Sequence, residues 1–126
     1  MDKKVISTNN APAAIGPYSQ AIEANGMLFL SGMLPIDPTT GYLVPGDIKE
    51  QTAQIFMNIK AILSAAGVNV TNIVKTTVFL DDMSLFGGMN EVYAAQFSDI
   101  FPARSAIAVK TLPKNALVEI EVIAVK

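Results

Sequence analysis

The order of apolar patterns along the chain predicts a domain of the α+β class, on three observations. Asn25-Gly26 separates two strand-like runs, the strongest short-range signal of a two-residue type I′ hairpin. Residues 47–67 hold one long apolar stripe at helical spacing with a capping signal at each end. Residues 73–80 are β-branched and apolar, and a short loop joins them to that helix, which returns the chain to the same sheet by a crossover.

Residues 3–8 alternate polar and apolar and read as an edge strand. Two prolines, Gly16 and several small residues make 9–17 a loop. Pro17 fixes its own φ and restricts Gly16, so this loop is able to place Tyr18 accurately. An ordinary turn with a half-buried tyrosine is the plainer reading of the same residues. Met27-Leu28-Phe29-Leu30 is apolar at every position, which predicts a central strand covered on both faces. That strand ends at Ser31-Gly32. Strand ends are where sites are built, so the Ser31 hydroxyl and the amides near it are candidate binding groups. Residues 35–46 carry three prolines and two glycines and form a surface loop.

Asp47 and Glu50 have the spacing of a capping box, and Gly67 sits where a helix ends. Ile48, Ile55, Phe56, Ile59, Ile62, Leu63 and Ala66 form the buried stripe, with Lys49, Gln51, Gln54, Asn58 and Lys60 outside it. After the strand at 73–80, an aspartate or Ser84 caps a second helix. Gly87-Gly88 weakens its first part by about 1 kcal/mol per glycine relative to alanine. The helix is therefore predicted over 89–100, with Met89, Val92, Tyr93 and Phe97 buried and Asn90 on the border of that stripe. Phe101-Pro102 ends it. A strand at 104–109, a turn at 111–115 and a last strand at 117–125 follow. Alternation sets Leu117, Glu119, Glu121 and Ile123 on one face and Val118, Ile120, Val122 and Ala124 on the other.

The 126 residues are enough for one domain, 1–126, with a core of its own. Apolar residues make up 51% and charged ones 16%, rich for a small monomer, so part of the apolar surface is expected to face a partner subunit. A net charge of -2 with no basic patch speaks against nucleic acid and anionic lipid as partners. No apolar run approaches the roughly 18 residues of a membrane span, and Met1-Asp2-Lys3-Lys4-Val5 lacks the features of a signal peptide. The absence of cysteine fits a reducing, cytoplasmic setting. With no histidine and no cysteine, a zinc site, a Ser–His–Asp triad and a Cys–His dyad are all unavailable. An oxygen-ligand Mg²⁺ or Ca²⁺ site stays open in principle, although Asp81-Asp82 is the only adjacent acidic pair and no loop has calcium-binding spacing.

Arg104 is the only arginine in the chain; every other basic residue is a lysine. A guanidinium grips a carboxylate with two parallel bonds, whereas lysine is a mobile point charge. Glu119 and Glu121 lie on an otherwise apolar strand, and a buried carboxylate needs a partner. Two readings are open at this point: an anion site at Arg104 with a carboxylate nearby, or a structural Arg–Glu pair across neighbouring strands.

Gly16-Pro17-Tyr18-Ser19-Gln20-Ala21, Ser31-Gly32 with Pro35, Asn90-Glu91-Val92-Tyr93, Pro102-Ala103-Arg104-Ser105 and Val118-Glu119-Ile120-Glu121 occur in this order. Together they closely resemble the RidA/YjgF family of reactive-intermediate deaminases, nearly end to end. The resemblance implies a chorismate-mutase-like α+β fold, a mixed sheet packed on two helices. It implies a homotrimer with clefts between subunits. It implies hydrolysis of 2-imino acids, released as enamines by pyridoxal-phosphate-dependent dehydratases, to 2-oxo acids and ammonia, with no cofactor and no metal. Arg104 would hold the substrate carboxylate and Glu119 would handle water and proton, while Tyr18, Ser31, Gly32, Asn90 and Ala106 would line the cleft. Ala106 stands where many relatives have cysteine, and Met33 where many have glutamine. A non-catalytic trimer that binds small carboxylates and regulates metabolism or translation is the alternative. Glu119 beside the arginine favours chemistry, because a plain carboxylate receptor gains little from a second negative charge.

Overall fold

The structure is a computed structural model and describes residues 2–126; Met1 lies outside the described residues. Six strands form one sheet: β1 (Lys4–Ile6), β2 (Ala21–Ala24), β3 (Met27–Met33), β4 (Ile73–Leu80), β5 (Ala103–Ala108) and β6 (Val118–Val125). Two helices, α1 (Ile48–Ala65) and α2 (Phe86–Ala94), lie between β3 and β4 and between β4 and β5 in the chain. The sheet order is β1-β2-β3-β6-β4-β5, antiparallel throughout except for the parallel pair β4–β5. The last strand is thus inserted between β3 and β4, so the crossover through α1 returns to the same sheet one strand away.

Local signals act as their chemistry requires. Asn25 and Gly26 take φ of 53° and 73°, the left-handed conformations a type I′ hairpin needs. Asp47 Oδ1 accepts from the Lys49 amide and Glu50 reaches back to the Asp47 amide, which closes the capping box on α1. Gly67, at φ 83°, follows the helix end as its left-handed stop. Ile55, Phe56, Ile59, Ile62 and Leu63 of α1 and Met89 and Tyr93 of α2 pack against Leu28, Leu30, Val78, Val118, Ile120 and Val122 of the sheet. Each such side chain contributes about 2 kcal/mol on burial. No helix among the described residues is long and apolar enough to cross a membrane.

Four expectations are corrected. First, β3 is central, but only one of its faces is covered: Phe29 is 41% exposed because both helices lie on the opposite side of the sheet. Second, β3 does not end at Ser31-Gly32 but runs to Met33, with a register irregularity between Leu30 and Met33 against β6. Third, α2 begins three residues before Met89 and ends at Ala94. Asp82 caps a single 3-10 turn at Met83–Leu85 that leads into it. Of the two glycines expected to weaken this segment, Gly88 serves packing, since a Cβ there would lie 2.7 Å from Cγ2 of Ile48. Fourth, Gln51 and Asn58 are buried. Gln51 Oε1 accepts from the Leu117 amide, and Asn58 Nδ2 donates to the Leu34 and Ile36 carbonyls, so both polar groups tie loops onto α1.

Candidate active site

The register decides where the charged residues stand. Thr76 pairs with Arg104 across β4–β5, and Phe79 pairs with Glu119 across β4–β6. Thr76 belongs to the buried, helix-covered set of β4 (Thr76, Val78, Leu80), whereas Phe79 belongs to the alternate set. Arg104 therefore lies on the helix side of the sheet and Glu119 on the open side, with β4 between their strands. The structural Arg–Glu pair is excluded within one chain: alternation puts the two side chains on opposite faces. Among the described residues the ion pairs are Lys49–Glu91, which joins α1 to α2 at 2.7 Å, and Lys126–Glu23.

Two half-sites result. The first surrounds Glu119, in a cleft of about 520 Å³ lined by Tyr18, Ser31, Gly32, Met33, Ile36 and Lys114 among others. Glu119 is half-buried, and burial pushes its carboxyl pKa up, with the Glu121 charge adding to the effect. Gly32 makes room for it: a Cβ there would collide with the Glu119 carboxylate. This is the close approach that a glycine inside a strand often marks. Tyr18 is 53% exposed on a tight turn in which its amide donates to the Gly16 carbonyl at 2.9 Å. The Ser31 hydroxyl donates to the Ser19 carbonyl at 2.6 Å and its amide to the Gln20 carbonyl, so towards a ligand Ser31 offers lone pairs rather than hydrogens.

The second half-site surrounds Arg104, in a recess of about 380 Å³ lined by Asn90, Tyr93, Ala94, Phe101, Pro102 and Arg104 itself. Arg104 Nη1 donates to Asn90 Oδ1 at 2.7 Å. Its guanidinium carbon lies 4.7 Å from the Tyr93 ring centroid and 5.3 Å from that of Phe86. Burial raises the Tyr93 pKa, against smaller opposing effects from its Thr76 hydrogen bond and the Arg104 charge, so the phenol stays neutral. Ala106, two residues on along the same face, packs against the core and is not among the residues lining this recess.

Of the residues expected in one cleft, Tyr18, Ser31, Gly32 and Glu119 come together in one place and Asn90 and Arg104 in another. Sequence reasoning missed several supporting residues. Gln20 is buried and pins the 8–12 segment through an amide that accepts from the Thr8 amide and donates to the Thr8, Ala11 and Pro12 carbonyls. Phe86 joins Asn90 and Tyr93 at i, i+4, i+7, a signal obscured by starting the helix at 89. Lys114 reaches the Glu119 cleft from a left-handed position, φ 57°, that no sequence pattern announced.

Comparison with known proteins shows the family and the fold. Residues 8–126 match the family model described as endoribonuclease L-PSP. A RutC family protein of Pyrococcus horikoshii is 57% identical over 124 residues, 98% of either chain. The 2-iminobutanoate/2-iminopropanoate deaminase of Mus musculus is 50% identical over 98% of this chain and 92% of its own. Among solved structures, a Rid-family protein of unknown function from Yersinia pestis superposes with a TM-score of 0.97 at 54% identity, covering 99% of this chain and 100% of that one. Escherichia coli TdcF with bound serine gives 0.93 at 44% identity over 98% of both. The mixed sheet on two helices is the chorismate-mutase-like fold. With its fold, its motifs and nearly its whole length shared, the chain belongs to the RidA/YjgF family.

Proposed function

We propose that this protein is a 2-iminobutanoate/2-iminopropanoate deaminase, an enzyme hydrolysing C=N bonds, working as a homotrimer whose clefts lie between subunits. One observation carries the reading. Among the described residues Arg104 is a half-buried cation without a carboxylate partner and Glu119 a half-buried carboxylate without a cation, on opposite faces of one sheet. A second copy that brings its Arg104 edge against the open face of the first completes both. The relatives named imine deaminases support the substrate, and TdcF with bound serine supports a small carboxylate ligand.

In this reading the Arg104 guanidinium binds the substrate carboxylate in-plane and holds the imine carbon over Glu119 of the adjoining subunit. Glu119, its pKa raised towards the working range, takes a proton from water as the water oxygen adds to the imine carbon. It returns that proton to nitrogen, then carries the hydroxyl proton of the tetrahedral adduct to the same nitrogen as the C=O bond forms and the C–N bond breaks, so both protons of the water leave on ammonia. Imine plus water gives 2-oxo acid plus ammonia, and no further reactant is required. Tyr18, Ser31 and Asn90 fix the water and the substrate.

The test generates 2-iminobutanoate in situ with a threonine dehydratase and follows its disappearance. Acceleration by the protein, lost in Arg104→Ala, is expected. Imine decay unchanged by wild-type protein would refute the proposal and favour the non-catalytic carboxylate-binding trimer, with which serine binding by TdcF is also compatible.

A further inference from the structure

Phe86, Asn90 and Tyr93 share one face of α2, and all three meet the same guanidinium. Tyr93 is itself fixed from below. Its hydroxyl lies 2.7 Å from Thr76 Oγ1, a fully buried group on the strand position paired with Arg104. On its other sides the ring is held by Phe56, centroid 5.6 Å away, and Phe97, at 5.2 Å. An aromatic needed only to fill this space would serve equally well as phenylalanine over valine. The sequence instead buries two hydroxyls that satisfy each other directly beneath Arg104.

We propose that Tyr93, locked by Thr76, is the positioning residue of Arg104: it holds the guanidinium so that its in-plane N–H edge stays open to a carboxylate. This rests on the reading of Arg104 as the carboxylate clamp and adds how the clamp is held. A guanidinium lying on an aromatic face is attracted to the ring through that face, and its in-plane donors remain for the ligand. Asn90 occupies one of these donors and fixes the rotation of the fork. A lysine at this position would neither stack nor present two parallel donors.

The experiment measures 2-oxobutanoate binding to the assembled protein by calorimetry, with steady-state imine hydrolysis alongside. The variants are Thr76→Val/Tyr93→Phe, Tyr93→Leu and Arg104→Ala. The double variant removes both hydrogen-bond partners, so it keeps the ring and leaves no buried hydroxyl unpaired. Kd and KM are expected to rise about fivefold in the double variant and about twentyfold in Tyr93→Leu, with kcat within about twofold. Where Tyr93→Leu does not fold, the double variant decides. Unchanged Kd and KM in the folded variants, with binding lost in Arg104→Ala, overturns the positioning role and leaves the clamp standing. Binding that survives Arg104→Ala overturns the clamp and this inference with it.

Discussion

Glu119 and Gly32 show how closely one side chain and one missing side chain depend on each other. Burial and the neighbouring Glu121 both disfavour the charged carboxylate, so its folded pKa lies above the ordinary 4.5. Between the unfolded and folded values the folded chain binds more protons, so unfolding free energy falls as pH rises through that window. Removing the Glu121 charge relieves part of this. Glu121→Gln should raise the thermal midpoint at pH 7, have little effect below pH 4.5, and move the Glu119 limb of the pH–rate profile to lower pH. Thermal scans at two pH values and a pH–rate series check the two halves independently. Gly32 has no unusual φ, so Gly32→Ala carries no backbone strain, but its methyl group would displace the Glu119 carboxylate. A shift of about 1 Å at a catalytic group costs about 100-fold in rate. Gly32→Ala should therefore lose activity on that order while retaining most of its thermal stability.

At the scale of elements, what was legible in the sequence was what neighbours in the chain decide. Asn25-Gly26, the Asp47–Glu50 capping box and the alternation of β6 are set by contacts within a few residues, and each stands where its pattern put it. The limits of α2 and the separation of Arg104 from Glu119 depend on distant partners. The inserted position of β6 puts β4 between the two strands, and no local pattern encodes an insertion. Gly88 lies inside α2 because Ile48, far away in sequence, needs the space. Paired substitutions expose this tertiary term. A Cβ at Gly87 meets nothing within 4 Å, so Gly87→Ala should stabilise the fold by about 1 kcal/mol through helix propensity. At Gly88 the same gain is opposed by the stiff, β-branched Ile48, and overpacking costs about 1–3 kcal/mol. Gly88→Ala should therefore be neutral to destabilising in urea titrations, and the sign difference between adjacent glycines is the diagnostic.

For the whole molecule, the uncovered face of the sheet and the divided site have one explanation. Across the strands the register lines up Val5, Ile22, Phe29 and Ile123 in one row on the open side, ending at Lys75. Ile107 of the edge strand β5 is 49% exposed on the same side. Such a row left in water forgoes about 25 cal/mol for every Å² that a second sheet would cover. The proposed trimer covers it and brings Arg104 of one subunit to Glu119 of the next. Mixing two inactive variants separates a shared site from one contained in a single chain. Arg104→Ala supplies intact Glu119, and Glu119→Ala supplies intact Arg104. After denaturation and refolding of an equal mixture, an interface with the two variants in the productive order regains both groups. Random assembly places about one interface in four in that order. Activity should return to about a quarter of wild type, whereas each variant refolded alone stays inactive. A mixture as inactive as its components would mean that the two half-sites never meet between copies, and the shared cleft would have to be abandoned.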